Sequence, residues 1–231
     1  MFLTGNEIAK MIDLSCVRTI SNKADIEEMV EATYKYGFGQ VSVLQCFIPY
    51  TRQLLKDAPE VRVVGNVSFP SGSDSTSIKV LQAKEMIAAG CDEIDMVMNI
   101  GKLRSGEVDG VEADVRSVVQ VVHPIPMKVI IEIMSLTPGE IQQACNICLR
   151  TGASFVKTGT GWAERGTTLD DVRLIKSIVG DRIRIKASGG IRNLDMLLEM
   201  YRAGATRFGV NLKSGIQIVE KCLRMEAGIE I

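Results

Sequence analysis

The run Arg182-Ile183-Arg184-Ile185-Lys186-Ala187-Ser188-Gly189-Gly190-Ile191-Arg192-Asn193 decides the fold. Its first five residues alternate charged and β-branched side chains, the period of a strand. Two glycines break the run, and Asn193 stands as a helix N-cap before the amphipathic stretch 194–203. Gly204 falls where that helix should stop, and a second strand-like run, Thr206–Gly209, follows. Strand, loop, helix and strand in this order predict a parallel βαβ unit.

The same unit recurs along the whole chain. Strands are predicted at Met11–Leu14, Gln40–Leu44, Val61–Ser68, Asp92–Met98, Met127–Ile133, Ala153–Lys157, Arg182–Lys186 and Thr206–Gly209. Helices are predicted after each, at 24–36, 49–57, 76–89, 109–122, 138–150, 168–178, 194–203 and 213–225. Pro138 sits just inside one helix, and Gly37, Gly90 and Gly152 sit where three others should end. Eight units at a spacing of about 28 residues fit a (β/α)8 TIM barrel at its smaller end. An open doubly wound sheet is the alternative, but no GxGxxG follows the first strand. No linker-like stretch divides the chain, so residues 1–231 read as one domain.

The composition narrows the function. The chain has 231 residues, with 27 Lys plus Arg against 28 Asp plus Glu and 5% aromatics. That balance offers neither a basic stripe nor a stacking platform for nucleic acid. No apolar run approaches a membrane span, and Met1–Lys10 lacks a signal-peptide core. A soluble cytoplasmic protein is the expectation. With 46% apolar residues, the six cysteines are expected to stay reduced. Cys145-x-x-Cys148 lies on one face of a predicted helix without a second ligand pair, and reads as packing. His123 is the single histidine, which excludes a His-based zinc site or catalytic triad, and it reads as a helix-end residue.

In a TIM barrel the chemistry sits at the C-terminal ends of the strands. Alternation turns Arg182, Arg184 and Lys186 inward on the seventh strand, and Glu93 and Asp95 on the fourth. It turns Lys157 inward at the end of the sixth, and Glu132 tops the fifth. Buried ion pairs fixing strand register are one reading of these charges. Chemistry is the other, because they gather near the catalytic rim. Two ammonium groups at roughly 5 Å and an effective dielectric near 20 repel by ~3 kcal/mol, worth about two pKa units. One lysine would then be neutral near pH 7 and able to form a Schiff base, with Asp95 or Glu132 moving protons. Ser188-Gly189-Gly190-Ile191-Arg192 and the stretch from Gly209 to Gly215 suit a phosphate, and Thr158-Gly159-Thr160-Gly161 adds donors from the same side.

Four segments carry a family resemblance: Asp92 to Gly101, Lys128 to Glu132, Phe155 to Thr158 and Lys186 to Arg192. Together with Ile12-Asp13 and the run Gly204 to Gly209, they resemble deoxyribose-phosphate aldolases over nearly the whole chain. The resemblance implies a class I aldolase on a TIM barrel, needing neither metal nor organic cofactor. The reaction implied is reversible cleavage of 2-deoxyribose 5-phosphate to glyceraldehyde 3-phosphate and acetaldehyde. Lys157 corresponds to the Schiff-base lysine, Lys186 to the neighbour that depresses its pKa, and Asp95 to a carboxylate that transfers protons with a water. Asp13 and Ser15 match an element that shapes the site, and Gly161, Gly189, Gly190, Arg192 and Gly209 fall where the family holds phosphate.

The departures bear on substrate. Leu44 stands where a cysteine is usual, with Cys46 two residues on, and Trp162 replaces a small or basic residue. Either Asn211 or Ser214 takes the place of the serine donors after the eighth strand, with Lys213 beside them, and the tail from Met225 to Ile231 has no tyrosine. The same chemistry on another phosphosugar, and a catalytically silent sugar-phosphate-binding barrel, are the competing readings. The expected partner is a small phosphorylated sugar, with self-association through outer helices left open.

Overall fold

The computed structural model describes residues 2–225 and 229–230. The tail positions 226–228 and 231, read above for the missing tyrosine, lie outside the described residues. Eight parallel strands close a barrel in chain order: β1 (Ile12–Cys16), β2 (Gln40–Val43), β3 (Arg62–Val67), β4 (Glu93–Val97), β5 (Met127–Ile130), β6 (Phe155–Lys157), β7 (Arg184–Ser188) and β8 (Ala205–Asn211). The closing pair sets Asp13 beside Gly209 and Ser15 beside Asn211. Around the barrel run α1 (Gly5–Lys10), α2 (Lys23–Tyr36), α3 (Ile48–Leu54), α4 (Thr76–Ala88), α5 (Ile100–Arg104), α6 (Val108–Val122), α7 (Pro138–Thr151), α8 (Leu169–Val179), α9 (Leu194–Arg202) and α10 (Leu212–Leu223). Outside it, Phe2–Leu3 pairs antiparallel with Ile229–Glu230.

The helix signals work as local chemistry requires. Asn193 Oδ1 accepts the Met196 N–H at 2.9 Å, and Thr137 and Glu140 form a capping box with Pro138 in the first turn of α7. Gly37, Gly90, Gly152 and Gly204 all take positive φ at helix ends. His123 caps the C-terminus of α6, Cys145 and Cys148 are buried in α7, and all six cysteines are free. Among the described residues, no helix is long and apolar enough to cross a membrane.

The predicted elements recur with shifted ends. The fifth strand stops at Ile130, three residues early, because Glu132 takes a left-handed φ of 45° and Ile133–Ser135 coils into a 3-10 turn. The seventh strand begins at Arg184, so Arg182 does not enter the barrel. Its guanidinium instead donates to the Ile178 and Val179 carbonyls at 2.7 and 3.1 Å, closing the C-terminal end of α8. Two short helices escaped prediction. One is α1, held by the Thr4–Glu7 capping box, and the other is α5, whose five residues are too few to show a period.

The apolar core lies between sheet and helices, where Leu14, Ile94, Met96, Val129, Val156, Ile185 and Ala187 are all essentially inaccessible. One charged pair interrupts this layer. Lys79 of α4 and Asp114 of α6 meet at 2.6 Å, and Lys79 Nζ also donates to the Val97 carbonyl at 3.2 Å. Burial pulls the Lys79 amine below its ordinary pKa while Asp114 resists. The pair therefore fastens two helices to the end of β4. Lys79→Met, which leaves Asp114 buried without a cation, should cost about 3–5 kcal/mol. Lys79→Met/Asp114→Leu should recover most of it. Urea unfolding of both variants measures this, and a single variant as stable as wild type would show the pair to be idle.

Candidate active site

The inward side chains of β4 to β8 form a continuous column of charge. At its base Glu93 receives Gln40 Nε2 at 3.0 Å, Arg62 Nη1 at 2.5 Å and Lys128 Nζ. Lys128 also reaches Asp95 Oδ1 at 2.9 Å. The second oxygen of Asp95 takes both Lys157 Nζ at 2.7 Å and Lys186 Nζ at 2.9 Å. Lys186 continues to Asp13, whose other oxygen is 3.3 Å from Arg207. Asp13, Glu93, Asp95, Lys128, Lys157 and Lys186 are all at most 5% exposed.

Lys157 is singled out by its count of partners. Lys128 and Lys186 each bind two carboxylates, whereas Lys157 shares one oxygen of Asp95 with Lys186. Burial comes first in lowering its pKa from 10.5 to about 8, Asp95 opposes this, and the Lys186 and Lys128 ammonium groups lower it further. This corrects the expectation that lysine–lysine repulsion dominates. Burial also works against the Lys128 cation, but Asp95, Asp13 and Glu93 overcome it and raise that amine above the usual range. For Asp95, burial pushes upward and the three lysines prevail, holding the carboxyl well below the usual range.

Lys157 opens onto a narrow chamber lined by Asp13, Ser15, Ser42, Asn66, Phe69, Thr160, Lys186 and Ser188. Above it a wider cavity of about 130 Å³ shares Ser15, Val17, Thr160, Ser188 and Gly209 with the chamber. Its other walls are Arg18, Gly161, Trp162, Gly189, Gly190, Ile191, Arg192 and Asn211. Two loops meet back to back here. Gly190 has φ +81°, and a Cβ on it would come 2.8 Å from Gly166 Cα, so only glycine fits. A closed ring of hydrogen bonds locks the loops: Ser188 N–H donates to Thr158 Oγ1 at 2.9 Å, the Thr158 and Thr167 hydroxyls lie 2.7 Å apart, and Thr167 Oγ1 donates to the Ser188 carbonyl at 2.6 Å.

The predicted residues Asp13, Ser15, Asp95, Lys157, Thr160, Gly161, Lys186, Gly189, Gly190, Arg192, Gly209 and Asn211 thus come together in the two connected spaces or the charge column beneath them. Three do not behave as read. Glu132 turns away from Lys157, and its carboxylate accepts the Thr160 N–H at 3.3 Å. Ser214 is buried in the first turn of α10, where its N–H donates to Asn211 Oδ1 at 2.9 Å, and Asn211 is the one that lines the cavity. Arg184 faces the other mouth of the barrel, stacked 4.0 Å from the centre of the Phe155 ring. The largest omission is Lys128. A lysine alternating with Met127 and Val129 was the signal, since Ile130 shares its inward face. Arg18 carried none, because its loop position has no period. Among the described residues, no group of three or more His, Cys, Asp or Glu is placed to hold a metal ion.

Comparison with known proteins agrees with this architecture. A model of the DeoC/LacD family of aldolases matches residues 8–216. A deoxyribose-phosphate aldolase of Sinorhizobium medicae is 40% identical, over 95% of this chain and 89% of the relative. One from Staphylococcus epidermidis is 42% identical, over 92% of this chain and 95% of the relative. Among solved structures, an aldolase called QR15 superposes with a TM-score of 0.89 at 37% identity, covering 95% of this chain and 97% of that one. A putative deoxyribose-phosphate aldolase from Coccidioides immitis gives 0.90 at 32% identity, covering 96% and 87%. A family match across most of the barrel and relatives near 40% identity at almost full length lead to one conclusion: the chain belongs to the DeoC/LacD family of aldolases, enzymes that make and break carbon–carbon bonds.

Proposed function

We propose that the protein cleaves 2-deoxy-D-ribose 5-phosphate reversibly to D-glyceraldehyde 3-phosphate and acetaldehyde through a Schiff base on Lys157. The observation that carries the reading is the Lys157 amine, lowered to about 8 and facing a chamber that continues into a glycine-lined, arginine-flanked cavity. The names of the relatives at about 40% identity support the substrate.

In this reading the neutral amine adds to C1 of the open-chain sugar, and loss of water leaves an iminium. A base removes the C3 hydroxyl proton, the C2–C3 bond breaks, and its electrons pass to the iminium nitrogen. Glyceraldehyde 3-phosphate departs, and the enamine takes a proton at C2. Water then releases acetaldehyde and restores Lys157. Asp95, kept ionised by its lysines, orients the water that relays these protons, and Lys186 supplies positive charge beside the developing iminium. Asp13 fixes Lys186 in place. Backbone N–H groups at Gly161, Gly189, Gly190 and Gly209, with Ser15, Thr160, Arg192 and Asn211, hold the phosphate end.

Borohydride trapping with 2-deoxyribose 5-phosphate should reduce the iminium to an adduct on Lys157, located by peptide mass spectrometry. Lys157→Ala should lose roughly a thousandfold or more in turnover, and normal turnover in a folded Lys157→Ala protein would sink the assignment. The pH profile carries a second test. The neutral amine makes up about 10% of Lys157 at pH 7 and half at pH 8, against about 0.03% for a lysine at its ordinary value. Activity should therefore rise with pH and level off above about 8. Lys186→Met removes a cation that lowers Lys157, so its limb should move to higher pH; an unmoved limb would deny Lys186 that role.

A further inference from the structure

We infer that Arg18, in the loop after β1, is a specificity-determining residue that grips the phosphate of the substrate together with Arg192. The inference rests on the reading above, that the outer cavity receives a phosphate. Arg18 and Arg192 both line this cavity, and among the described residues neither has a carboxylate within 4.0 Å. Two guanidinium groups without counter-ions beside a glycine-rich rim suit a dianion.

Arg18 is already poised. Its Nη2 donates to the Gly161 carbonyl at 3.0 Å, and its guanidinium lies 5.3 Å from the centre of the Trp162 ring. Phe69 braces that ring from the side, edge to face at 6.1 Å, and the backbone N–H of Trp162 donates to Thr160 Oγ1 at 3.0 Å. The indole thus supplies a platform under the Arg18 guanidinium. The positive charge comes across the barrel mouth from the first loop. One of five guanidinium N–H groups is spent on Gly161, which leaves donors for a phosphate oxygen. A phosphoester should fit this grip, and a neutral sugar terminus should gain little from it.

Trp162, the only tryptophan of the chain, reports on the contact. Titrating the whole protein with inorganic phosphate should change Trp162 fluorescence in wild type and leave it flat in Arg18→Met. Kinetics should agree: Arg18→Met should raise KM for 2-deoxyribose 5-phosphate about tenfold to a hundredfold, with a much smaller loss in kcat. Turnover of unphosphorylated 2-deoxyribose should fall far less, and Arg18→Lys should lie between. Equal losses on both sugars would show that Arg18 merely props the loop, and an unaltered KM would remove it from the phosphate site. If wild type neither binds phosphate nor prefers the phosphorylated sugar, the cavity reading fails and Arg18 with it. A phosphate response that survives in Arg18→Met overturns the role of Arg18 alone.

Discussion

A single carboxylate, Asp95, holds the interior of this barrel together. One of its oxygens takes Lys128 and the other takes Lys157 and Lys186. Burying six charged side chains is costly unless each finds a partner, and Asp95 lets three lysines share the means of doing so. Glu93 and Asp13 complete the neutralisation at either side, so three buried carboxylates face three buried ammonium groups. The arrangement is uneven in a useful way. Lys128, held by two carboxylates, is raised above the usual range, whereas Lys157, with half a claim on a single oxygen, is lowered to about 8.

Much of this was legible from the alternation of side chains. Period two is enough to turn Asp95, Lys157 and Lys186 into one interior, and strand-end position is enough to gather the glycines. Alternation does not say at which height in the barrel a residue sits. Glu93 and Arg184 face inward as predicted, yet they occupy the layer away from the chamber. Nor does it supply neighbours from other strands. Alternation turns Lys128 inward too, but that this cation stands beside Asp95 emerges only when β5 is laid against β4.

Errors of cause followed the same boundary. Repulsion between two lysines can be estimated from a guessed distance, whereas desolvation depends on every atom packed around the amine. Glu132 failed as a candidate for a local reason, since its left-handed backbone ends the strand and sends the side chain into the next loop. Arg18 lies in an irregular turn whose reach across the barrel mouth depends on closure of β1 against β8. Closure is a property of the whole chain, which no local window contains.

The ring formed by the Thr158 and Thr167 hydroxyls with the Ser188 backbone bears on the length of the proposed substrate. Thr158 follows Lys157 directly in the chain, and Ser188 directly precedes the paired glycines. Joining the two by short hydrogen bonds fixes the span between the Lys157 amine and the rim of the outer cavity. For the proposed reaction the barrel then acts as a ruler, measuring a molecule from its carbonyl carbon to its anionic end. One carbon more or fewer puts one of those ends out of register, however well the other is held.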